Sequence, residues 1–208
     1  MATGEEKKDR VVVYIDGFNL YFGMTSAYPD VKWLDVKKLA ESFIKSNQEL
    51  VGVRYFTSRV SNDPPKERRQ RAYLSALGST GIEIIYGHYK SKPASCFSCG
   101  HSWRKNEEKM TDVNIAVSML ADAMDDNYDV AFLISGDSDL VPPIRTVHSK
   151  FPNKRVVVAF PPNRHNNSVK NVARGSLIIG KAKLKAAQFP ESLTLDNGFE
   201  LQKPAEWQ

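Results

Sequence analysis

The sequence predicts an α/β fold, with a central, mainly parallel sheet flanked by helices. Three observations point there. The runs at residues 11–15, 130–134 and 155–160 are rich in β-branched and aromatic residues without polar alternation, as strands covered on both faces are. Segments with helical apolar periodicity lie between such runs, so strand and helix alternate at least four times. Two of the runs stop at acidic residues, Asp16 and the Gly136-Asp137-Ser138-Asp139 stretch, and an open α/β sheet binds its ligands at the carboxyl ends of its strands.

Taken in order, the first strand ends at Asp16, and Asn19, Tyr21 and Phe22 follow in a short helix. Asp35 caps a second helix, in which Val36, Leu39, Ala40, Phe43 and Ile44 mark one face. A second strand fits residues 50–57. After Asn62-Asp63-Pro64-Pro65, a helix over 66–77 carries Arg68, Arg69, Arg71 and Tyr73. Gly78 and Gly81 end it, and residues 82–86 form a third strand. The stretch 87–109 is polar, basic and too long for an ordinary βα loop, so it reads as a structureless insertion. The rhythm resumes with a helix over 111–124, a strand over 130–134, a helix over 140–149 and a strand over 155–160. A short helix near 168–173, an apolar run at 177–179, a basic amphipathic piece with Lys181, Lys183 and Lys185, and a hairpin over 193–201 with an Asn-Gly turn complete the chain.

Composition sets the bounds. The 208 residues, 41% hydrophobic and 25% charged, suit one core: a domain over 10–185 with its insertion at 87–109, and an extension over 186–208 that the core does not require. No apolar run is as long as a membrane span, and the charged N-terminus lacks the apolar centre of a signal peptide, so the expected location is the cytosol. A net charge of +5 leans towards a polyanionic partner.

Asp112 opens the 111–124 helix, so three separate segments bring acids to element ends. Each acid alone has a plain alternative role as a helix cap or first-turn residue. Their recurrence decides otherwise, because Asp16 is followed by no strong helix in need of a cap. Carboxylates gathered in one cleft repel unless a cation neutralises them, which points to a divalent metal, Mg²⁺ or Mn²⁺. Two such ions roughly 3.5 to 4 Å apart activate water and stabilise the leaving oxygen of a phosphodiester. Asn19 and Ser135 are placed to orient carboxylates or a metal-bound water. No Walker-type loop and no Gly-x-Gly-x-x-Gly occurs, which argues against nucleoside triphosphate and dinucleotide enzymes. An aspartyl phosphatase wants a second acid two residues after Asp16, where Phe18 stands.

The stretches Val13-Tyr14-Ile15-Asp16-Gly17-Phe18-Asn19-Leu20-Tyr21, Lys109-Met110-Thr111-Asp112-Val113-Asn114 and Ser135-Gly136-Asp137-Ser138-Asp139-Leu140 resemble the three motifs of the NYN domain family, relatives of PIN-domain nucleases. The resemblance spans about residues 11–180. It implies a Rossmann-like PIN fold and a metal-dependent ribonuclease, with Asp16, Asp112, Asp137 and Asp139 as the acidic set and Asn19 beside them. Asp16, Asp137 and Asp139 would be ligands, and Asp112 a ligand or a water-orienting base. A non-catalytic RNA- or protein-binding regulator that keeps the fold is the alternative.

Two further groups bear chemistry. Cys96-Phe97-Ser98-Cys99-Gly100-His101, with His88 upstream, offers two thiolates and two imidazoles, enough for a four-coordinate structural zinc that would clip the insertion together. A redox role lacks the setting in which such a pair opens a helix after a strand. Arg68, Arg69, Arg71, Lys90, Lys92, Arg104 and Lys105 are candidates for phosphate contacts, with Tyr73, Tyr89 and Trp103 available to stack on bases. The expected partner is RNA, with DNA not distinguished from it, and the chain is a monomer or a homodimer.

Overall fold

A computed structural model describes residues 7–207, with the backbone alone at residues 89–92, 94 and 103–108. Six parallel strands form one sheet: β1 (Asp9–Asp16), β2 (Gln48–Thr57), β3 (Glu83–Tyr86), β6 (Val130–Ile134), β7 (Arg155–Phe160) and β8 (Gly175–Ile178), in the order β3-β2-β1-β6-β7-β8. The chain thus winds outward from β1 in one direction and from β6 in the other. The direction reverses between these two strands, and a crevice opens there at their carboxyl ends.

The absence of alternation in the central strands follows from cover on both faces. Along β1, Val11, Val13 and Ile15 enter one core, while Val12 and Tyr14 enter the other. On the first face lie α1 (Gly17–Ala27), α2 (Val36–Glu41), α3 (Pro64–Ser79) and α7 (Lys181–Ala186), which bury Leu20, Met24, Leu39, Leu77 and Leu184. On the second lie α4 (Thr111–Met124), α5 (Val141–Lys150) and α6 (Asn167–Val172), through Ile115, Met119, Ile144, Val147 and Val169. Each such side chain contributes about 1.5–3 kcal/mol by leaving water.

Three expectations change. Asp16 is followed at once by an eleven-residue helix, α1, and caps it by accepting the Asn19 N–H at 3.0 Å. The apolar residues of that helix are spread around it rather than confined to one stripe, with Phe22 exposed while Leu20 and Met24 are buried, which hid its length. The insertion is an ordered antiparallel hairpin, β4 (His88–Ser95) with β5 (Ser102–Lys109), paired along both strands from His88 opposite Lys109 to Ser95 opposite Ser102. The C-terminal segment is also part of the core. Its strands β9 (Ser192–Thr194) and β10 (Glu200–Gln202) pair across a turn in which Gly198 takes a φ of +80°. Phe189, Leu201 and Trp207 are buried against Trp33, whose indole N–H donates to the Pro190 carbonyl at 2.8 Å.

A buried polar cluster fixes α4 to the sheet. The Asp122 carboxylate accepts from the Tyr14 hydroxyl, from Arg54 at 2.8 Å and from Asn127 at 3.1 Å. An unpaired buried carboxylate would be strongly destabilising, so these donors hold α4 in one position against β1 and β2. Asp112 lies about three turns away on the same helix.

Candidate active site at the strand crossover

Asp16 and Ser135 close the two central strands, one step beyond the paired Ile15 and Ile134. The Ser135 hydroxyl donates to one Asp16 carboxylate oxygen at 2.9 Å, while the other oxygen accepts the Asn19 N–H. Asp16 is 5% exposed, so these bonds fix its orientation in a poorly solvated position. The Asn19 side chain reaches across the crevice, and its carbonyl oxygen accepts the Gly136 N–H at 3.0 Å. Ser135 also accepts the Asp137 N–H at 3.1 Å, and the Asp137 carboxylate accepts the Asp139 N–H at 2.9 Å. One chain of hydrogen bonds therefore runs from α1 through both strand ends to the acidic turn.

Two close backbone approaches set the geometry. A Cβ on Gly136 would stand 1.8 Å from the Arg164 carbonyl oxygen, so only glycine lets the loop after β7 lie on the exit of β6. A Cβ on Gly87 would meet the Lys109 carbonyl at 2.7 Å and the Ser58 and Thr111 hydroxyls at 2.8 Å. This contact draws the start of α4 against the end of β2, and with it Asp112 into the crevice.

The electrostatics report the gathering. Burial, and then the charges of Asp16, Asp137 and Asp139, push the Asp112 carboxyl up to about 6. Asp112 and Asp137 are half-buried, and Asp139 is exposed at the rim. Among the described residues, no three His, Cys, Asp or Glu side chains form a group that could hold a metal ion as they stand. The charges of the other three acids thus reach Asp112 without the side chains forming a metal-holding group as they stand.

Beside them lies a cavity of about 690 Å³, lined by Phe18, Tyr21, Phe22, Tyr55, Tyr73 and Trp207 with Lys66 and Arg69 among its polar groups. Phe18 and Phe22 stack with centroids 6.1 Å apart. No single stretch of the sequence shows this site, because its aromatics come from α1, β2, α3 and the turn at Trp207. The spacing of Phe18 and Phe22, one helical turn apart and outside the apolar pattern, was the available signal.

The other candidates are dispersed. Arg68 and Arg71 are exposed on α3, whose first turn borders the cavity, whereas half-buried Arg69 pairs with Glu206 at 3.2 Å. Tyr73 is buried with its hydroxyl donated to the Leu34 carbonyl, so it forms cavity wall and core rather than an exposed stacking surface. The side chains of Lys90, Lys92, Arg104, Lys105, Tyr89 and Trp103 lie outside the described residues. Cys96 and Cys99 sit at the hairpin tip with His101 next to them. His88 starts β4 at the opposite end, and eight strand residues at about 3.3 Å each place it roughly 23 Å from the tip, so it does not join the cysteines of its own chain.

The family model described as the NYN domain matches residues 10–179. A curated relative, 6-hydroxy-3-succinoylpyridine 3-monooxygenase HspA of Pseudomonas putida (strain DSM 28022 / S16), is 26% identical over 196 residues, covering 76% of this chain. The chain spans 62% of that relative's length. Among solved structures, a protein of unknown function, VPA0982 from Vibrio parahaemolyticus RIMD 2210633, superposes with a TM-score of 0.62 at 22% identity, covering 86% of this chain and 98% of the other. That likeness shows the fold. No helix among the described residues is long and apolar enough to cross a membrane.

Proposed function

The chain belongs to the NYN domain family, and from that membership we propose that it is a metal-dependent ribonuclease acting at the crevice between β1 and β6. The observation that carries this reading is the buried Asp16 carboxylate at the strand crossover, ringed by Asp112, Asp137 and Asp139 from two other segments. A module that only bound RNA would gain nothing from carboxylates set against one another in this way.

The donor chemistry suits Mg²⁺ or Mn²⁺, since all four side chains offer hard oxygen ligands, and drawing them onto an ion would relieve their repulsion. Asp16, Asp137 and Asp139 would hold the metal, with Asp112 as a further ligand or as the group that orients water. Bound there, the metal supplies a water of lowered pKa and neutralises charge building on the phosphate. The residues of the chain do the positioning. Ser135 and the Asn19 N–H turn the Asp16 lone pairs in one direction, and Asn19 holds Gly136 so that the acidic turn keeps its distance from β1. The aromatic cavity adjoins Asp16 through Gly17 and Phe18, which suits it to an unpaired base while the phosphate lies over the acids.

The test is cleavage of end-labelled RNA and DNA with Mg²⁺, Mn²⁺ or EDTA, comparing wild type with Asp137→Asn. Divalent-dependent cutting of RNA, abolished in a folded Asp137→Asn protein, is the expected result. Cutting by the variant at the wild-type rate refutes the metal role. Binding without cutting under all conditions assigns the protein to the non-catalytic class instead. The relative named as a pyridine monooxygenase, together with the aromatic cavity, favours one other reading, in which a small heteroaromatic ring enters that cavity. Ring hydroxylation and oxygen uptake with a hydroxypyridine, alongside inert RNA, would select it.

A further inference from the structure

The hairpin β4–β5 carries a feature that the crevice does not use. Its tip, Cys96 to His101, is a tight turn: the Cys96 N–H donates to the His101 carbonyl at 2.8 Å, the Gly100 N–H to the Cys96 carbonyl at 2.9 Å, and Gly100 takes a φ of +69°. This folds the backbone so that the N–H groups of Cys99 and Ser98 point at the Cys96 sulfur, with the Cys99 thiol beside it. Both cysteines are reduced and reachable at the end of an arm.

The chain nevertheless provides half a site. Structural zinc takes four ligands in a tetrahedron. Among the described residues no third His, Cys, Asp or Glu side chain joins the two thiols in a group able to hold a metal, and His88 is at the far end of the strand. The chain has no other cysteine. Between the two thiols, Phe97 stands fully in solvent at 105% relative exposure, an aromatic ring with nothing to cover it at the very point where ligands are missing.

We propose that two copies of this chain meet tip to tip and share one zinc ion, each giving Cys96 and Cys99, with the two Phe97 rings covering the junction. A twofold axis through the metal makes the contact self-complementary, because each half-site is the same and each lacks what the other supplies. Four thiolates select zinc over the hard cations suited to the acidic crevice, so the two metal sites are chemically separate. The inference goes beyond the nuclease reading and does not depend on it.

The experiment is made on the full chain, purified in reducing buffer without added metal. Elemental analysis gives zinc per chain, and light scattering after size exclusion gives mass. The expected result is one zinc per two chains in a dimer. Stripping by a chelator should yield metal-free monomer, and titration with ZnCl₂ should restore the dimer with its end point at half an equivalent. Cobalt substitution should show the intense charge-transfer absorption of a tetrathiolate. The Cys96→Ser/Cys99→Ser protein should stay monomeric and zinc-free with an unchanged far-ultraviolet spectrum, since the hairpin is a sheet of its own. One zinc per chain in a monomer, a dimer that survives loss of both cysteines, or no zinc uptake during the titration would each overturn the proposal.

Discussion

Replacing Asp112 with asparagine should stabilise the metal-free protein at neutral pH and leave it unchanged in acid. The folded chain holds the Asp112 proton up to about pH 6, against an ordinary value of 3.8. The native state therefore binds more protons than the unfolded chain between those limits. Stability falls as pH rises through that window and is lowest above it. At about 1.4 kcal/mol per pH unit, the gap corresponds to about 3 kcal/mol for an enclosed group. Asp112 is only half-buried, so screening reduces this to about 1.5 kcal/mol. Asparagine also forgoes the attraction of a carboxylate to the first turn of α4, which returns about 0.5 kcal/mol. The net gain is about 1 kcal/mol at pH 7.5, or about 3 °C in Tm for a domain of this size. Thermal unfolding in EDTA at pH 7.5 and pH 4 measures it directly. Adding Mn²⁺ should raise the wild-type Tm and raise that of the variant less, because a ligand that binds only the native state stabilises in proportion to its affinity. An equal Tm change at both pH values, or a lower Tm for the variant at pH 7.5, would refute the account of a crowded acidic crevice.

Other consequences can be measured independently. RNA affinity should fall steeply with salt, and charge reversal at exposed Arg68 and Arg71 should weaken binding across sequences alike; a flat response at several salt concentrations would remove α3 from the interface. Gly136→Ala should cost about 3 kcal/mol in denaturant unfolding, because the new methyl meets the Arg164 backbone rather than a flexible side chain. Gly78→Ala is its control, with open space around the Cβ and a helical backbone, and should stabilise by about 0.5–1 kcal/mol. Divalent-dependent cleavage should be lost in Asp137→Asn, and zinc and dimer mass should be lost together in the double cysteine variant.

The parallel sheet was legible because its strands are buried on both faces, which leaves uninterrupted apolar runs such as 130–134 and 155–160. Asp16, Asp137 and Asp139 stood out because they follow where such runs stop, and Asp112 because it opens α4. Part of what stayed hidden arises from contact between segments distant in the chain. Nothing local to the C-terminal segment shows that Trp207 packs on Trp33, or that Phe189 does. The hairpin was hidden for a different reason. Its strands pair with each other and, among the described residues, join no other sheet, so the stretch read as an insertion rather than as part of the α/β rhythm. The reach of Asp16 was half legible: its place at a strand end was plain, but its capping of α1 depends on a helix whose sequence is mixed.

The position of Trp207 gives the acids and the cavity beside them different origins in the chain. The acids and most of the cavity lining belong to the stretch matched by the family, which stops at residue 179, whereas Trp207, which packs beside Tyr21 in that lining, comes from a turn nearly thirty residues later. Two relatives could keep identical acids at the crevice and still differ in the shape of the cavity beside them by changing only the turn that carries Trp207. Sorting such proteins by their acidic motifs alone would leave that difference in the cavity unseen.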